Sequence, residues 1–205
     1  MIYHFNTIFN GQNIGEYYNE CCRIVPDGNW ICFWDADVMT FHTFGNMNDF
    51  LEKGVKLFSC VANRIGTHKQ RVNKTQDTNP SMIYHRKQAE QYLKKFGTQL
   101  RTDTKTVSGL MLLFQKSTWQ AVGGFTEKGI AGVDTDFSRK ISSHGWKVGI
   151  LRGLYVMHYY RLAEGGKAGH LFRKQEVGSW KTEDGRQEKG VRRRKTGDGS
   201  RKFKD

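Results

Sequence analysis

Long apolar runs are missing from this chain. Nowhere among its 205 residues do apolar side chains continue for the roughly 18 to 20 positions that a membrane-spanning helix needs. The opening MIYHFNTIFNGQN also lacks the basic stretch followed by an apolar core that marks an export signal. A soluble, cytoplasmic protein is the expectation. Cysteine is scarce: Cys21, Cys22, Cys32 and Cys60 form no CxxC pair and fall far short of a secreted disulfide scaffold. Adjacent cysteines are poor joint ligands for one metal, so reduced, buried thiols are expected. No internal repeat recurs at a fixed period. Acidic residues are in deficit, 20 Asp and Glu against 33 Lys and Arg, giving a formal net charge of +13. Such a field attracts polyanions: nucleic acid, an anionic membrane surface or acidic polysaccharide.

The length suits one domain with a sizeable core plus a tail. Residues 181–205 hold ten Lys or Arg against five Asp or Glu, with the run RRRK at 192–195 and almost no apolar residues. That segment buries too little surface to offset its ordering entropy. The expected division is therefore a domain over 1–177 and a flexible basic tail over 178–205. Within the domain, MIYHFNTIF reads as a strand and IGEYYNECCRIV as a helix. After the turn formers Pro26, Asp27, Gly28 and Asn29, the short apolar run WICFW reads as a strand covered on both faces. This β-α-β unit implies a parallel pair. A short helix closed by Gly54 (FGNMNDFLEKG) and the strand VKLFSCVANR continue the alternation.

Residues 63–106 are more polar and basic. Their clearest element is NPSMIYHRKQAEQYLKKFG, with Asn79 as helix N-cap, Pro80 at the first helical position and Gly97 as a left-handed stop. His85, Arg86, Lys87, Lys94 and Lys95 give that helix a basic face, either solvated or turned to an anionic acceptor. Next come the strand VSGLMLLF, a short helix KSTWQAVGGF broken by Gly123 and Gly124, and the helix DTDFSRKISSHG ending at Gly145. Asp134 is its N-cap or first-turn residue, and the strands WKVGIL and LYVMHYY follow. The whole predicts an α/β domain whose mostly parallel sheet is flanked by helices.

Three groups of residues can carry chemistry. Asp35 and Asp37 end the WICFW strand, and the C-terminal ends of parallel strands are where open α/β sheets bind ligands. Two carboxylates there can share Mg²⁺ or Mn²⁺, with water and substrate phosphates completing the shell. Ala36 between them is small enough to leave room for a diphosphate. Asp134, at a helix start, has its ionised form favoured by the dipole and free amides, and a carboxylate so held can accept a hydroxyl proton. Its plainer role is a cap, with Asp136 complementing the dipole. His158, in YVMHYY, is either a structural hydrogen-bonder or a metal ligand. The glycine-rich EGGKAGH after it is either a simple loop or a lid carrying Lys167 and His170 towards phosphate.

The ordered set NIGEYYNE, DGNWICFWDADVM, SGLMLLFQKSTWQAVGGF, GVDTDFSRKISSHGWKVGIL and VMHYY resembles small glycosyltransferases of the GT-A fold, near family 2, over roughly residues 1 to 160. The resemblance implies that Asp35 and Asp37 are a D-x-D pair holding a divalent metal, usually Mn²⁺, on the diphosphate of a nucleotide sugar such as a UDP-sugar. It implies that Asp134 is the base of an inverting transfer and that His158 is a further metal ligand. Val133 stands where the family commonly has glutamate. Only one strand and helix precede the D-x-D strand, a short nucleotide-binding part in which Thr7 is the candidate contact. For the acceptor, the charge favours a polyanion, first a hydroxylated base in DNA as in viral DNA modification, with Asp136, Arg86 and Lys87 as contacts and the host cytoplasm as the place. A cell-surface or lipid-linked glycan, with the basic surface resting on anionic membrane, is the alternative. A non-catalytic nucleic-acid-binding module is a second.

Overall fold

Four of the seven strands found among the described residues share one direction, and that shared direction builds the site. In this computed structural model the described residues are 1–7, 13–42, 54–73 and 76–159. They all belong to one compact unit. The 177/178 boundary, the basic tail, Lys167, His170 and most of the helix expected before Gly54 lie outside them. The strands are β1 (Ile2–Thr7), β2 (Trp30–Asp35), β3 (Val38–Thr40), β4 (Val55–Ala62), β5 (Leu100–Thr104), β6 (Met111–Gln115) and β7 (Lys147–His158). The α-helices are α1 (Ile14–Ile24), α2 (Met82–Phe96), α3 (Lys116–Ala121) and α4 (Val133–Ser143).

The sheet runs β1-β2-β6-β4-β7, with β3 and β5 both pairing β7. β1 and β2 are parallel, as the β-α-β reading requires, and β4 and β7 are parallel. β6 is antiparallel to both β2 and β4. The C-terminal ends of β1, β2, β4 and β7 therefore meet at one edge, and β6 starts there.

WICFW is continuously apolar because both faces of β2 are buried. Ile31 and Phe33 pack with Tyr18 and Cys22 of α1 and Phe137 and Ile141 of α4. Trp30, Cys32 and Trp34 pack on the opposite face with Phe58, Cys60 and Met111. All four cysteines are free and buried. α1 is capped by Asn13, whose side chain accepts the Glu16 N–H.

Several local expectations change. Ser81, not Asn79, caps α2, taking the Tyr84 N–H on its side chain. Asn79 instead accepts the Ser81 N–H, a turn that places Pro80 before the helix. Gly97 does end α2, at φ 48°. The two strands expected after Gly145 are one, β7, with an irregularity where Cys60 pairs Leu151 and Val61 pairs Tyr155. A Cβ on Gly153 would lie 2.0 Å from the Gly97 carbonyl oxygen, so the irregularity packs glycine against the end of α2. His85 does not belong to a basic face: it is fully buried, hydrogen-bonded to the Tyr155 hydroxyl and, at 2.6 Å, to the Asn79 carbonyl. Arg86, Lys87, Lys94 and Lys95 are exposed.

Candidate functional site

Thr7, at the end of β1, stands in register with Asp35, at the end of β2. Its hydroxyl lies 3.4 Å from that of Tyr18, which reaches the edge from α1. The Asp35 N–H donates to the Leu110 carbonyl at 3.2 Å, tying the strand end to the start of β6. The chain then turns through exposed Ala36 to Asp37, whose carbonyl accepts the Tyr159 N–H at 2.9 Å. Thus the two aspartates flank a tight turn anchored to β6 on one side and β7 on the other.

His158 ends β7 and is only 3% exposed. Its backbone N–H donates to Asn63 Oδ1 at 2.8 Å, and its Nδ1 lies 2.8 Å from the Arg64 carbonyl oxygen. A carbonyl only accepts, so Nδ1 carries a proton, and Nε2 faces Asp37 Oδ1 at 3.3 Å; on the neutral ring that nitrogen turns a lone pair to the carboxylate. Two acceptors facing each other call for a proton or a cation between them. Asp35, Asp37 and His158 each offer a ligand atom within 4.8 Å of the others. Carboxylate oxygens with one imidazole suit Mn²⁺, and a ligand histidine whose other nitrogen donates to a backbone carbonyl is the usual supporting arrangement. The residues fit a divalent cation.

The electrostatics agree. Burial, reinforced by Asp37 and Asp134 and opposed by His158, pushes the Asp35 carboxyl up to about 6. Burial works against ionised Asp37 too, but the hydrogen bond and charge of His158 outweigh it and hold Asp37 below the ordinary value. Burial likewise disfavours the charged His158 ring, yet Asp37 outweighs it and raises its pKa. Burial also raises the Tyr18 hydroxyl, which senses the charges of Asp35 and Asp134. Asp35 and Tyr18 thus resist negative charge at this edge, whereas Asp37 keeps its charge against His158.

Asp134 lies in the first turn of α4, whose N-cap is Gly132 at φ 80°. Its Oδ2 accepts the Gly109 N–H and its Oδ1 the Thr135 N–H, each at 2.7 Å. Each oxygen keeps a second lone pair. The helix start alone predicts an easily ionised carboxyl; burial instead raises its pKa, with the amides of Thr135 and Gly109 opposing. A raised pKa makes a stronger base. Asp136 takes a different job: it accepts from the Thr126 hydroxyl and pairs with Lys140 at 3.6 Å, fastening α4 to the loop before it. Arg86, on α2, pairs with Glu90 at 3.4 Å and Lys87 is exposed.

Sequence reasoning missed Tyr18, Asn63, Arg64, Gln70 and Gly109. Tyr18 counted there as one more aromatic on the apolar face of α1, and only its hydroxyl sets it apart. Asn63, Arg64 and Gln70 lie where the sequence turns polar and basic, and Gly109 lies in the run VSGLMLLF that reads simply as a strand.

The chain is similar to two solved structures. One is the catalytic domain of Drosophila beta1,4-galactosyltransferase 7 in complex with xylobiose, at 11% identity and TM-score 0.40, covering 71% of this chain and 48% of that one. The other is a mutant of the same Drosophila enzyme in complex with manganese, UDP-Gal and xylobiose, at 11% identity and TM-score 0.42, covering 73% and 51%. The chain thus spans about half the length of each. No curated protein matches it. Among family models, that of glycosyltransferase like family 2 matches residues 15–175, well over half of the sequence and the stretch holding Asp35, Asp37, Asp134 and His158: the chain belongs to that family.

Proposed function

We propose that this domain moves a sugar from a nucleotide sugar, a UDP-sugar first, to an acceptor hydroxyl with inversion at the anomeric carbon. Mn²⁺ or Mg²⁺ would be held by Asp35, Asp37 and His158. The observation that carries this reading is the convergence of those three ligands and Asp134 on one sheet edge, in a member of this family. When bound, the cation supplies charge that offsets the negative charge of the departing nucleoside diphosphate. Asp35 and Asp37 offer carboxylate oxygens, and His158 is aimed by its bonds to Asn63 and Arg64. Ala36 leaves the turn open, while Thr7 contributes a hydroxyl on the donor side. Asp134 takes the proton of the acceptor hydroxyl as that oxygen attacks from the face opposite the leaving group.

The test is Asp134→Asn. Turnover should fall by about 10²- to 10⁴-fold with Mn²⁺ binding intact, and near-wild-type transfer removes Asp134 from the base role. Donor hydrolysis indifferent to chelator sinks the metal site. A second reading concerns the acceptor: the net charge of +13 and the exposed Arg86, Lys87, Lys94 and Lys95 favour a polyanion, first DNA carrying a hydroxymethylated base. Incubation with UDP-sugars, Mn²⁺ and either hydroxymethylated DNA or saccharides separates the two. A mass shift on the DNA supports the second reading, and transfer to saccharide alone rejects it.

A further inference from the structure

Residues 63–70 leave β4 at the site edge and reach both halves of the site. At their first end, Asn63 is fully buried. Its Oδ1 takes the His158 N–H at 2.8 Å, its Nδ2 donates to the Asp77 carbonyl at 3.1 Å, and the next carbonyl, of Arg64, lies 2.8 Å from His158 Nδ1. At their last end, Gln70 is fully buried as well. Its Oε1 accepts the Ser108 N–H at 2.7 Å, and its Nε2 donates to the Ser108 carbonyl at 3.3 Å and to Ser59 Oγ at 2.8 Å. Between them, the Thr67 and Ser108 hydroxyls are 2.5 Å apart.

The Ser108 carbonyl and the Gly109 N–H belong to one planar peptide unit. Gln70 grips that plane by its oxygen, and the N–H on its other side donates to Asp134 Oδ2 at 2.7 Å. Fixing one end of a rigid plane aims the other. A donor on the carbonyl also polarises the peptide and strengthens its N–H as a donor.

We propose that residues 63–70 form one bracket setting the spacing between metal and base, with Asn63 a positioning residue for His158 and Gln70 a positioning residue for Asp134. This rests on the roles given to His158 and Asp134 above.

Four variants of the full chain separate the roles, read with a UDP-sugar and Mn²⁺ as probes: Gln70→Ala, Gln70→Glu, Ser59→Ala and Asn63→Ala. Both Gln70 variants lose the grip on the Ser108 carbonyl. Their kcat for UDP release should fall by about 10- to 100-fold, with the KM for donor and the Kd for Mn²⁺ unchanged. Ser59→Ala removes a partner of Gln70 but spares its grip on Ser108, so kcat should stay near wild type at comparable loss of stability. Asn63→Ala should raise the Kd for Mn²⁺ by about 10- to 100-fold. Amide hydrogen exchange at Gly109 gives a readout independent of turnover: faster in the Gln70 variants, unchanged in Asn63→Ala. Gln70→Glu is nearly isosteric and stands in should Gln70→Ala not fold. If Asp134→Asn abolishes turnover while the Gln70 variants keep it, the bracket is wrong and the base assignment stands. If Asp134→Asn keeps turnover, the base assignment fails, and Gly109 exchange still decides whether Gln70 holds that peptide. A Kd for Mn²⁺ unmoved in Asn63→Ala removes the other end.

Discussion

Replacing Asn19 by leucine should cost about 3 kcal/mol of stability, on the order of 1 kcal/mol for each internal hydrogen bond with a discount for the half-exposed partners. Asn19 is 5% exposed and makes four bonds. Its Nδ2 donates to the Phe125 carbonyl at 3.0 Å and to Glu127 Oε1 at 2.8 Å, and its Oδ1 accepts from Trp119 Nε1 and the Phe125 N–H, both at 2.9 Å. Leucine is close to asparagine in shape, so no void opens and the loss isolates the polar groups. Phe125 itself is buried, and its N–H and carbonyl lose their Asn19 partners. Against a total stability of about 5 to 15 kcal/mol for a domain, the loss is large. In urea unfolding followed by tryptophan fluorescence, a slope near 2 kcal/mol/M turns it into a midpoint drop of about 1.5 M. A cost under about 1 kcal/mol would refute the reasoning, since it would mean the freed groups find water or other partners. Because residues 119–127 lead to α4, the variant should also lower turnover per folded molecule.

Other outcomes are as definite. Gly15→Ala would ordinarily favour a helix by about 1 kcal/mol, but here the new Cβ would lie 2.1 Å from the Thr126 carbonyl oxygen, so the melting temperature should fall. Mn²⁺ affinity should weaken as pH drops through about 6, where protons compete for Asp35, and calorimetric titration at pH 5 and 7 checks it. In chelator the sign for stability reverses. Asp35 and His158 both have raised pKa values, so each binds its proton more tightly when folded; the Asp35 contribution is lost as pH rises from its unfolded value of about 3.9 to about 6, and that of His158 as pH rises above the ordinary histidine value. Melting of wild type and Asp35→Asn in chelator should show a shallower decline in the variant; equal slopes reject the Asp35 part. Because burial raises the Asp134 pKa, the acid limb of kcat should lie above the ordinary aspartate value of about 3.9, and a limb at or below it contradicts the assignment.

The sequence made the apolar strands legible because burial on both faces leaves a run, as in WICFW, that few other contexts tolerate. β3 and β5 escaped notice because they sit at the edge of the sheet, where VMT and LRTDT need bury little. The merger of two expected strands into β7 depends on Gly153 meeting Gly97, a contact 56 residues apart in sequence that no local pattern displays. Asp35, Asp37, Asp134 and His158 were visible because strand ends and a helix start mark them. Asn63 and Gln70 were not, since a polar stretch reads as solvated until each amide is seen to have an internal partner. His85 was misplaced for the same reason: only Tyr155 and Asn79 explain a histidine in the interior.

The four buried thiols have a use of their own. Burial raises the pKa of each, so alkylating reagents meet them only when the structure opens around them. Cys21 and Cys22 ride on α1, whereas Cys32 on β2 and Cys60 on β4 lie either side of β6 in the sheet. Pulsed alkylation read by mass spectrometry therefore carries two clocks in the unmodified protein. One times the departure of the helix bearing Tyr18, and the other times the opening of the sheet around β6, beside the strand that ends in Asp35.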